Sequence, residues 1–289
     1  MPSFVTSSKN TTPAGTNADV VAVTVPSTTA LSDLIAEIAI GADPATIPSV
    51  VSVTASGGTF TLIPGAAVTR VTGSRSARIE TWRAPAVAGG ITLVTAKTSA
   101  SGTFGVLIGE YATVSTIGHV GTQSGSAVPV TIDLATQDTQ TMVVAGFAAE
   151  DFAGPTFTGA SPGTLRESVY VLGSGLPDVP GALVDQDAAT PATVTNTVTT
   201  TGQSLWVATA IELRSVVGSG FRSFQSLWFG PDGSAGVGSP TSTAGGFRSF
   251  QSMWFGPDAG GSTGAVVAAA TGRKLISQGL AATIQAELT

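Results

Sequence analysis

The 289-residue sequence predicts an all-β protein: a single large β-sandwich of jelly-roll type, then a tail with two short helical anchor repeats and a short C-terminal element. Three observations point there. Charged residues make up only 10% of the chain, and its positive mean hydropathy of +0.36 comes from Ala and Val scattered among Thr, Ser and Gly. Short apolar or alternating runs recur between Gly, Pro, Asp and Ser punctuation, as strands and turns do. The third is that residues 220–232 and 246–258 read GFRSFQSLWFGPD and GFRSFQSMWFGPD, differing only at Leu227 and Met253.

Residues 1–18 are polar and irregular, with Pro13 and Gly15, and are expected to form an arm that orders only on docking. Asn10 opens a glycosylation sequon that means little without a secretory signal. The sandwich is expected over 19–215. Candidate strands are 19–25, 34–40, 50–55, 59–63, 77–82, 91–96, 104–112, 128–133, 142–148, 165–171, 192–199 and 205–213. Val and Thr suit a pleated sheet and form helices poorly. Turn signals fall at Gly57-Gly58, Pro64-Gly65, Gly89-Gly90, Ser161-Pro162-Gly163 and Pro180-Gly181. Two alternatives stay open. One divides the region into two immunoglobulin-sized sandwiches split near 121–127. Residues 31–40 also fit a helix, because Leu31, Leu34, Ile35 and Ile38 share a helical face.

Residues 216–262 form the repeat tail. In the first copy Phe221, Phe224, Leu227 and Trp228 lie on one helical stripe, and Ser223 and Ser226 face away. A strand could not place Phe224, Trp228 and Phe229 on one face. Gly230-Pro231 is a helix stop. The spacing therefore predicts a helix over 221–229, and over 247–255 in the second copy. So short a helix is unstable alone and must dock. The two copies hold six of the chain's 12 phenylalanines and two of its four tryptophans. Burying four such rings would contribute on the order of 15–25 kcal/mol gross per copy, most of it offset by ordering and association. The expected partner-binding residues are Phe221, Arg222, Phe224, Leu227, Trp228 and Phe229, with Phe247, Arg248, Phe250, Met253, Trp254 and Phe255. Arg222 and Arg248 sit in the first turn, where a partner carboxylate or solvent would receive them.

Two near-identical anchors call for two equivalent sockets, which symmetric neighbours supply. A flexible linker over 233–245 would span roughly 20 Å on average and at most about 45 Å. The second docking is then intramolecular. The competing expectation is that both repeats pack on the chain's own sandwich as a lid. Residues 263–289 are expected to form a short amphipathic helix, from the spacing of Leu280, Ile284 and Leu288, or a strand added to a partner's sheet.

Function classes narrow further. Nothing near the roughly 18 apolar residues of a membrane span is present. There are no cysteines, and no basic leader precedes an apolar run at the start, so synthesis in a reducing cytosol is expected. A net charge of −6 without a basic stripe argues against nucleic acid. His119 is the only histidine, in an expected loop, and no nucleophile elbow, zinc set or phosphate loop accompanies it. No enzyme activity, metal or cofactor is expected. Glu150-Asp151 and Asp185-x-Asp187, read as loop acids, are the remaining candidates for a glycan hydrolase or calcium. Arg70, Arg75, Arg78 and Arg83 cluster in sequence; Arg78, Glu80 and Trp82 would share one face of a strand, available for a sugar or for oligomer packing.

The GFRS-x4-W-x-G pattern at 220–230 and 246–256 resembles a segment that recurs on Gly-rich linkers in bacteriophage and prophage structural proteins, often behind a Thr/Ala/Val-rich β-sandwich. Ile79-Glu80-Thr81-Trp82-Arg83-Ala84-Pro85, Glu110-Tyr111 and the closing strand 205–213 are similar to such sandwiches. The chain departs from that pattern in carrying Gly-Pro-Asp where Gly-Gly is expected. The resemblance implies a non-enzymatic virion component, assembled in the host cytoplasm. The body would be displayed outside, as capsid decoration or a head or tail appendage, and the tail would hold other virion proteins or sister subunits of a homo-oligomer. The alternative is a receptor- or glycan-binding module of a tail fibre or adhesin, using Trp82, Tyr111, Tyr170 or the loop acids.

Overall fold

The computed structural model describes residues 1–215 apart from 14–15, 127, 151–156, 173–177 and 201–204. Every regular element among them is a β-strand, and every pairing is antiparallel. The strands are β1 (Ser3–Thr11), β2 (Ala18–Thr24), β3 (Asp33–Gly41), β4 (Val50–Ala55), β5 (Gly58–Thr59), β6 (Thr61–Thr72), β7 (Arg75–Ala84) and β8 (Leu93–Ala112). There follow β9 (Val114–Gly125), β10 (Val130–Ala135), β11 (Thr141–Ala149), β12 (Phe157–Ala160), β13 (Thr164–Val171), β14 (Val179–Ala188), β15 (Thr193–Thr200) and β16 (Trp206–Ser215).

The all-β expectation holds; in place of the one large sandwich expected over 19–215, the sheets form four layers, two in each half of the chain, each half around its own core. β8 is long enough to serve two sheets. Its residues 93–98 pair with β2 and β4, and its residues 103–112 pair with β1 and β3. The eight-stranded sheet so formed curls over on itself. Val21 and Val23 of β2 and Val94 and Ala96 of β8 close one side of a core whose other side is Leu34, Ala36, Ile38, Phe104, Val106 and Ile108. The second half of the chain repeats this arrangement with β15 and β16 as separate strands. Val130, Ile132 and Val198 lie opposite Val143, Ala145, Phe147, Trp206, Ala208 and Ala210.

The two halves share one strand order. In the first, β1-β8-β3-β7-β6 covers β2-β8-β4-β5; in the second, β9-β16-β11-β14-β13 covers β10-β15-β12. Register makes the match residue by residue. Leu34 lies opposite Glu110 and Ala84, and Val143 lies opposite Glu212 and Gln186. Leu31 and Gln140, at matching positions before β3 and β11, both take the left-handed backbone, with φ of 66° and 57°. The chain therefore folds one eight-stranded unit twice, over 3–112 and 114–215. The boundary lies at Thr113, ahead of the 121–127 split that the sequence suggested, most of which belongs to β9.

The larger sheets of the two units pack face to face. Ile35, Leu107 and Tyr111 meet Met142, Val144, Leu183, Ile211 and Leu213 toward one pole. Ala39, Ala77 and Ile79 meet Ala148, Val179, Leu205 and Val207 toward the other. Across this interface β3 contacts β11, β1 contacts β13, and β6 contacts β9. The strand orders thus run in opposite senses, which relates the units by an approximate twofold axis parallel to the strands. Both faces of β3 and β11 are covered, so all nine residues of each are buried and the sequences DLIAEIAIG and TMVVAGFAA barely alternate. That lack of alternation is why a helix also fitted residues 31–40.

Three expectations are corrected. Residues 3–11 are not a free arm but strand β1, held by β8; Phe4 packs edge-on against Tyr111 at 5.8 Å between ring centroids. Residues 114–125 form edge strand β9 despite three glycines. Two of them leave no room for a side chain: a Cβ on Gly118 would lie 2.1 Å from Oε2 of Glu212, and one on Gly125 would lie 2.4 Å from Cζ2 of Trp206. Pro180-Gly181 is not a turn but opens β14. Pro180 pairs with Tyr170 of β13, and the β11 ladder ends one residue further on, at Gly181, so the proline costs little there.

Candidate functional site

The partner-binding residues expected from the sequence, Phe221, Arg222, Phe224, Leu227, Trp228, Phe229, Phe247, Arg248, Phe250, Met253, Trp254 and Phe255, lie outside the described residues, as do the expected elements over 216–289. What the structure places is the root of that tail. β16 ends at Ser215, paired with Val114. The Arg214 carbonyl accepts from the Ser115 hydroxyl at 3.0 Å, and the Ser115 carbonyl accepts from the Arg83 guanidinium at 3.3 Å. Arg83 also holds Asp33 at 2.6 Å, at the start of β3. The last described residues of β16 thus sit on a hydrogen-bonded seam between the two units.

The candidate catalytic groups are bound up elsewhere. His119 lies on β9 rather than in a loop. Its backbone N–H donates to Glu212, and its Nδ1 lies 2.6 Å from the Ala135 carbonyl. Asp185 and Asp187 lie on β14, not in a loop, and Arg166 clamps both oxygens of Asp185 at 2.8 and 2.9 Å. Burial pushes the Asp185 carboxyl up, against the pull of Arg166. Glu150 is fully buried just past β11, and Asp151 lies outside the described residues. Among the described residues no group of three or more His, Cys, Asp or Glu could hold a metal, and no helix is long and apolar enough to cross a membrane.

Arg78, Glu80 and Trp82 share a face of β7, as the alternation predicted. That face points into the first unit. Arg78 donates to Glu80 at 2.7 Å, the Trp82 indole donates to its other oxygen at 3.1 Å, and the Val50 N–H donates at 3.1 Å. Trp82 packs against the first core, so it is not an open platform for a sugar. Tyr111 is wholly buried, and Tyr170 donates to Asp178. Arg70 reaches Ser124 of β9 at 3.4 Å.

Sequence reasoning missed a set of buried carboxylates that pin loops to strands. Glu110 accepts from the Thr29 N–H at 2.6 Å and the Ser32 hydroxyl at 2.7 Å, fastening the loop before β3. Glu212 fastens the loop before β11 in the same manner, accepting from the N–H groups of Gln137 and Asp138 at 3.1 and 3.3 Å. Burial pushes the Glu212 carboxyl up, but the His119 N–H, the Arg214 guanidinium and those two loop amides outweigh it and hold it below the usual range. The one sequence signal was a glutamate at the same place in each closing strand. Comparison of the chain with protein-family models, curated proteins and solved structures finds no match.

Proposed function

We propose that the chain is a non-enzymatic structural protein of a bacteriophage virion, displayed on the outside of the particle and held there by its two C-terminal aromatic repeats. The observation that carries this reading is the thirteen-residue repeat with a single difference, Leu227 against Met253. Near-identity of two apolar segments on one linker favours two equivalent sockets, and a symmetric particle offers these. The body suits display: a doubled β unit whose last described strand, β16, ends at Ser215 beside the start of β9. Its strand orders support reading each unit as jelly-roll type, two small sandwiches in place of one large one.

The test is incorporation of truncated chains into particles that lack the wild-type chain. Removal of residues 216–289 leaves a folded body that no longer joins the particle. Removal of 246–289 alone weakens attachment by about 10²–10⁴-fold, the loss expected when a bivalent tether becomes monovalent. Full incorporation of the longer truncation overturns the proposal.

A further inference from the structure

At the middle of the interface between the units stands one side chain the proposed function does not use. Glu37 of β3 is wholly buried, and its counterpart by register in the second unit is Gly146 of β11. The two face each other: a Cβ on Gly146 would lie 2.1 Å from Glu37 Oε2. The carboxyl of one unit thus fills the space vacated by the same position in the other.

Three oxygens meet there. Thr81 Oγ1 lies 2.8 Å from Glu37 Oε2 and 2.8 Å from Thr209 Oγ1, and Thr209 Oγ1 lies 3.2 Å from Glu37 Oε2. Thr81 belongs to the first unit and Thr209 to the second, so the triangle spans the interface. Across the approximate axis the matching positions are Leu183 and Leu107, which pack together without polar atoms. The polar triangle is therefore an addition to the fold, made once.

Counting protons shows which state it needs. Three edges require three O–H donors, and two threonines supply two. Only a protonated Glu37 supplies the third. As a carboxylate it would leave one edge unfilled and would place charge on Oε1, which is buried and has no partner among the described residues. We propose that Glu37 is a proton-dependent latch: its acid form closes a three-oxygen ring that locks the two units together, and loss of that proton loosens the interface between them.

The surroundings agree. Burial outweighs the two threonine hydrogen bonds and raises the Glu37 carboxyl from 4.5 to about 8. The charged groups that share the interface are paired or distant along the strands. Asp33 of β3 is bonded to Arg83 of β7, and Asp185 of β14 to Arg166 of β13. Tyr111 of β8 is held neutral by its own burial and by Asp185. Glu150 lies past the end of β11, and the face of β16 that carries Thr209 brings only Val207, Ile211 and Leu213. Among the described residues no cation offsets an ionised Glu37: burial and the two threonines are what act on it.

The sign follows from the two values. The folded chain holds the proton more tightly than the unfolded one, so the contribution is complete below pH 4.5 and drains away as pH rises toward about 8. The full chain and its E37Q variant, whose amide keeps the shape and supplies a donor at every pH, are compared by thermal unfolding and by amide exchange of β3 and β11, corrected for intrinsic rates. The E37Q minus wild-type difference in Tm should grow by roughly 5–15 °C across that window. Wild-type opening of β3 and β11 should rise by up to about tenfold per pH unit and then level, while E37Q stays flat. Parallel profiles for the two chains overturn the latch. If E37Q does not fold, the ¹³C carboxyl resonance of Glu37 in the wild-type chain decides: titration near 8 supports the latch, and titration near 4.5 refutes it.

Discussion

Glu110 and Glu212 carry out the same task at matching places, and little else in their surroundings coincides. Each is buried on the closing strand of its unit and accepts N–H or O–H groups from the loop entering the central strand. That loop must turn through a left-handed residue, Leu31 or Gln140, and the carboxylate holds it there. Glu212→Gln leaves a poorer acceptor facing the amides of His119, Gln137 and Asp138 and the Arg214 guanidinium. It should destabilise the body by about 2–4 kcal/mol by urea titration. Glu212 is held below the ordinary range, so its contribution is present above pH 4.5 and is lost as pH falls. The acid limb of the stability profile should therefore flatten in that variant. Gly146→Ala tests the opposite kind of constraint. The added methyl meets Glu37 Oε2 and, at 2.8 Å, Ile79 Cδ1, and the strand is closed on both faces. A loss of about 1–3 kcal/mol is expected; no change in unfolding midpoint would mean that the interface has room to spare.

At the scale of the strand, what could be read from the chain was whatever a strand's own residues decide. β2, β10 and β15 alternate in burial as their sequences alternate, and all three fell where expected. β1 and β9 did not, because their order comes from a neighbour. β1 is Ser and Thr over most of its length, and what seats it is β8 together with Phe4 between Tyr111 and the Arg166 guanidinium, 4.0 Å from its ring. Phe4→Ala should cost about 1–3 kcal/mol and raise amide exchange in β1 ahead of the rest of the body. Retention of β1 protection in that variant would show that the ladder to β8 suffices. The doubling of the unit was hidden for a related reason. Val21, Val23 and Val25 match Val130, Ile132 and Leu134 in role, and Phe104, Val106 and Ile108 match Trp206, Ala208 and Ala210. Burial selects for apolar bulk rather than for identity, so two copies of one fold drift apart while their cores persist. The loop acids and Trp82 were misjudged for want of register: alternation put Arg78, Glu80 and Trp82 on one face but could not say that the face is an inside one.

At the scale of the whole molecule, the two units share a buried, mostly apolar central interface, with Tyr111, Leu107, Leu183 and Ile211 in one cluster and Ile79, Leu205 and Val207 in the other. They should unfold as one. Calorimetry of a chain ending at residue 215 should give a single transition with matching calorimetric and van't Hoff enthalpies; two separated transitions would mean that each unit is stable alone. The repeats were legible at once because their message is local, thirteen residues said twice, whereas sockets on other molecules, as proposed for them, would leave no trace in this sequence. The most direct measurement is an electron cryomicroscopy map of the assembled particle with this chain placed in it. Residues 220–232 and 246–258 should be seated in two equivalent sockets of neighbouring subunits, no more than about 45 Å apart. Repeats lying in solvent, or set into two dissimilar grooves of their own body, would contradict it.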